Sequence, residues 1–311
     1  MSIIKRLGSL CALALMAASF SSAASDYSSP WRPLPQQGKH FLIPGIDTVS
    51  DLYGDVVDPQ LVVFFAGNQF MVVNDLVSAF RKAHPAIQRI YVETLPPGIL
   101  AQQIEQGALV IGNLRIALKP DVYTAGAKRI DSLQAQHHWF ATTENYARNR
   151  LALMVHAGNP KHIHGLKDLG RPGVRVSMPN PKWEGIARAI EATYRKAGGD
   201  ALDGQIMRTK VNDGTTHLTQ IHHRQTPLRI LRKQSDAGPV WYTEAYFQQA
   251  VLHHPVSLVG IPADQNVQVT YTAALLKDAP HTAAGQAFMD FLVGPVAQAI
   301  YKHYAFEPPA K

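Results

Sequence analysis

The run Leu61-Val62-Val63-Phe64-Phe65 constrains the fold more than any other feature of the chain. Five consecutive apolar residues, two of them β-branched, mark a strand buried on both faces, and such strands belong to sheets covered by helices on each side. A helical pattern follows, with apolar residues at Val72, Val73, Leu76, Val77 and Phe80, and His84-Pro85 ends it. The alternation then repeats. Residues 89–93 read as a strand leading through Pro96-Pro97-Gly98 into a helix over 99–106. Residues 151–155 and 174–177 read as strands, and 183–196 as a long helix closing at Gly198-Gly199. Thr226-Pro227 reads as a helix start with threonine as the cap. A strand at 240–242 runs into a helix at 243–251. A strand at 267–276 precedes two helices split by Gly294-Pro295. This order predicts an α/β architecture with mostly parallel sheets.

Of the 311 residues 46% are hydrophobic, which excludes a disordered chain and leaves room for one large domain or two modest ones. The formal charge of +7 suits an anionic partner but is too diffuse to indicate nucleic acid. Residues 1–24 read as a signal peptide. Lys5 and Arg6 precede an apolar stretch over 7–20, and Ser21-Ser22-Ala23-Ala24 offers a cleavage site. The apolar stretch is too short for a membrane span and no second one follows, so stable membrane insertion is not expected. The single cysteine, Cys11, lies inside this segment, so the processed chain has no disulfide and no thiol chemistry. Residues 25–59, rich in Pro, Gly, Ser and Asp, read as an irregular extension.

In α/β folds, ligands bind beyond the carboxyl ends of strands, where helix N-termini present unpaired N–H groups. Four turns fit that geometry: Ala66-Gly67-Asn68-Gln69, Leu95-Pro96-Pro97-Gly98, Asn180 to Gly185, and Tyr242-Thr243-Glu244. Four stretches carry a family resemblance. They are Val63-Phe64-Phe65-Ala66-Gly67-Asn68 with its following helix, Leu100-Ala101-Gln102-Gln103-Ile104-Glu105-Gln106-Gly107, Asp236-Ala237-Gly238-Pro239-Val240-Trp241-Tyr242, and Ala287-Phe288-Met289-Asp290-Phe291-Leu292-Val293-Gly294-Pro295 ending in Tyr304-Ala305-Phe306. In these the chain resembles the periplasmic molybdate-binding proteins, within the type 2 solute-binding proteins of ABC importers. The resemblance implies a two-lobed periplasmic-binding-protein type 2 fold, with a hinge and a ligand cleft between the lobes. Lobe one would hold 60–144 plus 253–311, and lobe two 145–252. It also implies a periplasmic protein without catalytic residues or cofactor, acting as a monomer, that hands a small oxyanion-like ligand to an ABC permease.

Carried over residue by residue, the resemblance implies a ligand site at Asn68, Gly98, Glu184, Gly185, Gln225 and Tyr242. Asn68 replaces a small hydroxyl residue, and the Ser-rich second turn of the family reads Pro96-Pro97-Gly98 here, so the framework persists while its chemistry changes. The segments 108–119 and 209–222 are longer than the family pattern. Read directly, His222-His223-Arg224 precedes a helix start at the cleft. There Arg224 can grip an anion bidentately and His223 can donate or accept. A solvated basic loop is the ordinary alternative. Glu93, Glu184 and Glu244 approach the same cleft, where they can complement helix dipoles, pair with Arg224, or bind a cation with His222 and His223. The spacings at His137-His138, His162-Ile163-His164 and His253-His254 match no zinc motif, and no metal site is assigned. Trp183 is placed as a cleft lid. Two alternatives stay open: an accessory or sensory binding protein on the same fold, and a metal-cation binder using Glu and His.

The signal reading predicts that the chain recovered from the periplasm of an expressing cell begins at Ala24 or Ser25, which intact-mass measurement checks.

Overall fold

The structure, a computed structural model, describes residues 39–42, 50–182, 184–220 and 222–309. The expected signal peptide and Trp183 lie outside the described residues. The chain opens on β1 (Lys39–Leu42) and β2 (Ser50–Gly54), then enters β3 (Leu61–Phe64), all four residues of which are buried as its apolar run demands. Helix α1 (Val73–Ala83) buries Val73, Leu76, Val77 and Phe80. β4 (Ile90–Glu93) leads into α2 (Pro97–Gln106), which starts on proline and stops at Gly107 in the left-handed region. A small hairpin, β5 (Leu109–Ile111) and β6 (Leu114–Ile116), accounts for the long segment at 108–119. β7 (Val122–Gly126) and α3 (Ala127–His137) follow.

The next strand, β8 (Phe140–His156), runs for 17 residues. Beyond it come β9 (Val176–Met178), α4 (Gly185–Gly204), a short α5 (Lys210–Asn212) and β10 (Thr216–Leu218). α4 is broken at Gly198 and Gly199, where the sequence predicts its end. α6 (Gln225–Leu231), β11 (Ala237–Trp241), α7 (Tyr242–Tyr246) and β12 (Val256–Gly260) complete this half. The chain returns through β13 (Gln268–Leu276) to α8 (Thr282–Val293) and α9 (Pro295–His303), separated at Gly294.

Two α/β lobes result, and β8 is common to both. Its first part, through Arg150, pairs with β13. From Leu151 and Ala152 onward it pairs with β11 and β12. In lobe one the sheet order is β1-β2-β4-β3-β7-β13-β8. One face packs α1, α8 and α9 through Phe65, Phe80, Phe288 and Phe291, and the other buries Val62, Phe64 and Tyr91 against Leu100 and Ile130 of α2 and α3. Lobe two builds one core on Ile186, Ile190 and Tyr194 of α4 and a smaller one on Ile230 and Leu231 of α6.

Three expectations are corrected. The segment 25–59 is not irregular throughout, because β2 adds antiparallel to β4 and β1 to β2. Its polar composition is that of an edge hairpin, which needs few core residues. The sheets are mixed rather than mostly parallel, because β8 and β13 carry the chain between lobes against the direction of their neighbours. β12 pairs antiparallel with β8 from Ala152 to His156, and β13 pairs with β8 from Phe140 to Arg150. Thr226 does not cap α6. The helix begins at Gln225, two residues before Pro227, and the threonine hydroxyl shares a 2.9 Å hydrogen bond with Ser177.

Gly54 ties the added edge to the sheet. Its φ is +94°, and a Cβ there would stand 2.0 Å from the Ile90 carbonyl oxygen. Gly54→Ala is therefore expected to cost about 1–3 kcal/mol, read as a lower urea midpoint with unchanged slope.

Candidate ligand site between the lobes

The site lies beyond the carboxyl ends of β3 and β4 in lobe one and of β9 and β11 in lobe two. After β3 the chain turns sharply at 67–72 before entering α1. Gly67 lets lobe two approach this turn: a Cβ there would lie 2.6 Å from His222 Nε2 and 2.9 Å from the Thr94 carbonyl oxygen. Asn68 donates from Nδ2 to Tyr271 Oη of β13 at 2.5 Å. Asn149, at the lobe changeover of β8, donates to Thr243 Oγ1 at 2.9 Å and also bonds Tyr271. Burial holds the Tyr271 phenol far above its usual pKa, so it stays protonated.

Lobe two supplies the charges. Glu184 stands at the N-cap of α4, where Oε1 accepts from the Asn180 backbone N–H at 3.1 Å and from the Thr219 hydroxyl. His223 lies between two carboxylates, with Nδ1 3.3 Å from Glu184 Oε2 and Nε2 3.8 Å from Glu244 Oε2. Arg224 donates to Asp51 of β2, and neither side chain has any exposure. His222 is also fully buried. Its Nδ1 accepts the Arg224 backbone N–H at 3.1 Å, which leaves the proton of a neutral imidazole on Nε2. Burial first, then the positive Arg224 and His223, push its pKa well below the usual histidine value, so this ring is a neutral N–H donor.

Of the residues expected at the site, Asn68, Glu184, His223 and Arg224 come together in this buried region. Gln225 is half-buried and braces its loop, its Oε1 accepting from the Gln220 N–H at 2.6 Å. Gly185 and Gly98 open their helices on exposed positions. Tyr242 is turned to other work: the Arg150 guanidinium sits 3.8 Å above its ring, which packs beside Ile230 and Val240. Tyr271 is the tyrosine that stands among the polar groups. Glu93 is held inside lobe one, where Oε1 accepts from Tyr91 Oη at 2.9 Å and Gln103 Nε2 at 3.0 Å. Sequence reasoning missed Asp51, Thr219 and Tyr271. Asp51 sits in the segment read as irregular, and a lone tyrosine within a strand carries no signal. Gly67 was legible as part of a strand-to-helix turn, but not its contact with His222.

Ring nitrogens of His222 and His223 and a Glu184 oxygen lie within 4.8 Å of one another, the spacing of a cation-capable group. The donor set suits a borderline metal. The observed tautomer does not, because a protonated His222 Nε2 has no lone pair to give. The other histidines are otherwise engaged: His137 stacks on Trp139, and His254 pairs with Gln248 at 2.6 Å.

A two-lobed α/β protein whose polar groups converge between the lobes is built as a solute-binding protein. The chain belongs to the family of bacterial extracellular solute-binding proteins, which it matches over residues 61–307. The molybdate-binding protein ModA of Mycobacterium tuberculosis is 24% identical over 256 residues, covering 80% of this chain and 85% of the relative. The periplasmic molybdate-binding protein of Azotobacter vinelandii superposes with a TM-score of 0.65 at 18% identity, over 80% of this chain and 100% of that one. The sulfate-binding protein SubI of Mycobacterium tuberculosis superposes with a TM-score of 0.61 at 22% identity, over 80% and 85%. No helix among the described residues is long and apolar enough to cross a membrane.

Glu93 gives the site's surroundings a pH signature. Burial, opposed by bonds from Gln103 and Tyr91, pushes its carboxyl from 4.5 up to about 7. Between those values the folded chain holds a proton that the unfolded chain has lost. Stability is then highest below pH 4.5 and falls as pH rises through 7, by about 3 kcal/mol in all. Urea melts across this range are expected to show the decline, and Glu93→Gln to flatten it.

Proposed function

We propose that this chain is an exported, non-catalytic periplasmic binding protein that captures a small oxyanion between its lobes and presents it, as a monomer, to an ABC permease. Residues 1–24 serve as the export signal. The changeover in β8 at 150–151 and the segment joining β12 to β13 act as the hinge. The observation that carries the anion reading is the His222 Nε2–H: a buried neutral donor with no protein acceptor, beside His223 and the Arg224 loop. A buried donor without a partner costs about 1–3 kcal/mol, which an oxygen-rich ligand recovers. Asn68 and His223 supply further donors. The family and the molybdate- and sulfate-binding relatives support the same reading.

Arg224 and Asp51 belong to different lobes, so their ion pair forms as the cleft closes. Arg224→Ala strands Asp51 in the interface and is expected to weaken oxyanion binding about ten- to a hundred-fold, with Arg224→Ala/Asp51→Asn recovering part. Calorimetry and thermal-shift measurements with phosphate, arsenate, sulfate and molybdate check this. Small-angle scattering should show a smaller radius of gyration on saturation. Stabilisation by divalent metals alone, reversed by a chelator, would instead favour the Glu184, His222 and His223 cation reading.

A further inference from the structure

Resting on the oxyanion reading above, we infer that the interlobe site selects an oxyanion that still carries a proton at neutral pH, of the monohydrogen phosphate or arsenate type, and that Glu184 is the residue that reads that proton. Fully deprotonated sulfate and molybdate are the ligands it discriminates against.

The argument is one of hydrogen-bond accounting. The two oxygens of Glu184 do different things. Oε1 braces the turn ahead of α4, accepting from the Asn180 N–H and the Thr219 hydroxyl. Oε2 is buried and accepts no hydrogen bond. The nearest ring nitrogen, His223 Nδ1, is 3.3 Å away, within ion-pair range but not aligned as a donor. Native structures satisfy buried polar atoms almost without exception, so an acceptor in this condition marks a place for a donor from outside. His222 Nε2 is the complementary case, a buried donor without an acceptor. Together with His223, the two residues each place one ring nitrogen or carboxylate oxygen within 4.8 Å of the others.

A spacing of up to 4.8 Å admits one bridging hydroxyl-type oxygen. An oxygen accepting from an imidazole N–H at about 2.9 Å and donating to a carboxylate at about 2.7 Å separates those two atoms by roughly 4.5–4.8 Å. The P–OH of monohydrogen phosphate does both at once, and its bond to Glu184 is of the strong charge-assisted kind. A sulfate or molybdate oxygen accepts only. Set against Glu184 Oε2, it brings two negative oxygens together with no hydrogen between them. Selectivity of this kind comes from an unpaired buried group facing the wrong ligand, and it is steep.

The test is calorimetric titration of the processed full-length protein at neutral pH with phosphate, arsenate, sulfate and molybdate in turn. Phosphate and arsenate are expected to bind about a hundred-fold or more tighter than sulfate and molybdate. Glu184→Gln replaces the acceptor by an amide that can donate. It is expected to weaken phosphate and strengthen sulfate, each by about ten-fold or more, while retaining the wild-type melting profile within a few degrees. The wild-type panel decides the matter even where that variant folds poorly. Sulfate or molybdate binding as tightly as phosphate, or tighter, overturns the assignment to Glu184 and leaves the oxyanion reading standing. Failure of all four anions, with zinc binding that a chelator reverses, overturns both.

Discussion

Asp51, Glu184, Glu244, His222, His223 and Arg224 are all held out of water in this protein. Removing charges from water is expensive, and the cost is recovered only where each charge meets a partner of good geometry. The rest of the interface is arranged around that demand. Asp51 from lobe one meets Arg224 from lobe two, and His223 stands between Glu184 and Glu244. Gly67 supplies the space that lets His222 come within reach of the lobe-one turn. A lobe angle only slightly wider would leave these groups half-desolvated and poorly paired. The interface therefore favours two arrangements, closed and paired or open and hydrated, over a continuum between them.

The backbone makes both arrangements reachable. Because β8 runs unbroken from one sheet into the other, the lobes are joined by continuous strand rather than by a loose linker. Asn149 lies at the changeover and bonds Thr243 of lobe two and Tyr271 of β13. Tyr271 is in turn held by Asn68. A change at the first-lobe turn is thus connected through two hydrogen bonds to the strand about which the lobes rotate. The N-terminal edge adds a second tie. Without β2 there would be no Asp51, and Arg224 would lose the carboxylate that lobe one sets against it.

Much of this fold is legible in the sequence because its signals are local. An apolar run, a proline at a helix start and a Gly-Pro break act over a few residues, and β3, α2 and the α8–α9 pair stand where those signals put them. The turns that carry the candidate site were legible for the same reason, since the loop before α6 and the turn before α4 are visible as helix starts. Pairing partners were not legible. Arg224 was expected to grip an anion, with Glu184 or Glu244 as alternative partners across the cleft, and it pairs with a residue 173 positions away. Tyr242 was expected to face the ligand, but Arg150 holds its ring. In both cases the outcome depends on which sheet face a neighbouring strand presents, and no local pattern encodes that.

The composition of the site separates it from a simple anion cradle. A cradle for a bare anion needs donors alone, and backbone N–H groups at helix starts suffice. Here Pro96 and Pro97 offer no backbone donors in the first-lobe turn, and the second lobe places Glu184 and Glu244 beside His223. Glu184 engages Asn180 and Thr219 through one oxygen, while its second oxygen accepts no hydrogen bond and lies 3.3 Å from His223 Nδ1. His222 is kept neutral by its surroundings, which makes it a directional donor rather than a diffuse positive charge. Donors and acceptors therefore alternate across a few ångströms. A surface of that kind recognises the pattern of hydrogens on a ligand in addition to its charge, because each mismatched pair leaves a desolvated group unsatisfied. Binding strength then follows how well the ligand's own donors and acceptors interleave with those of the protein, and total charge becomes the secondary term.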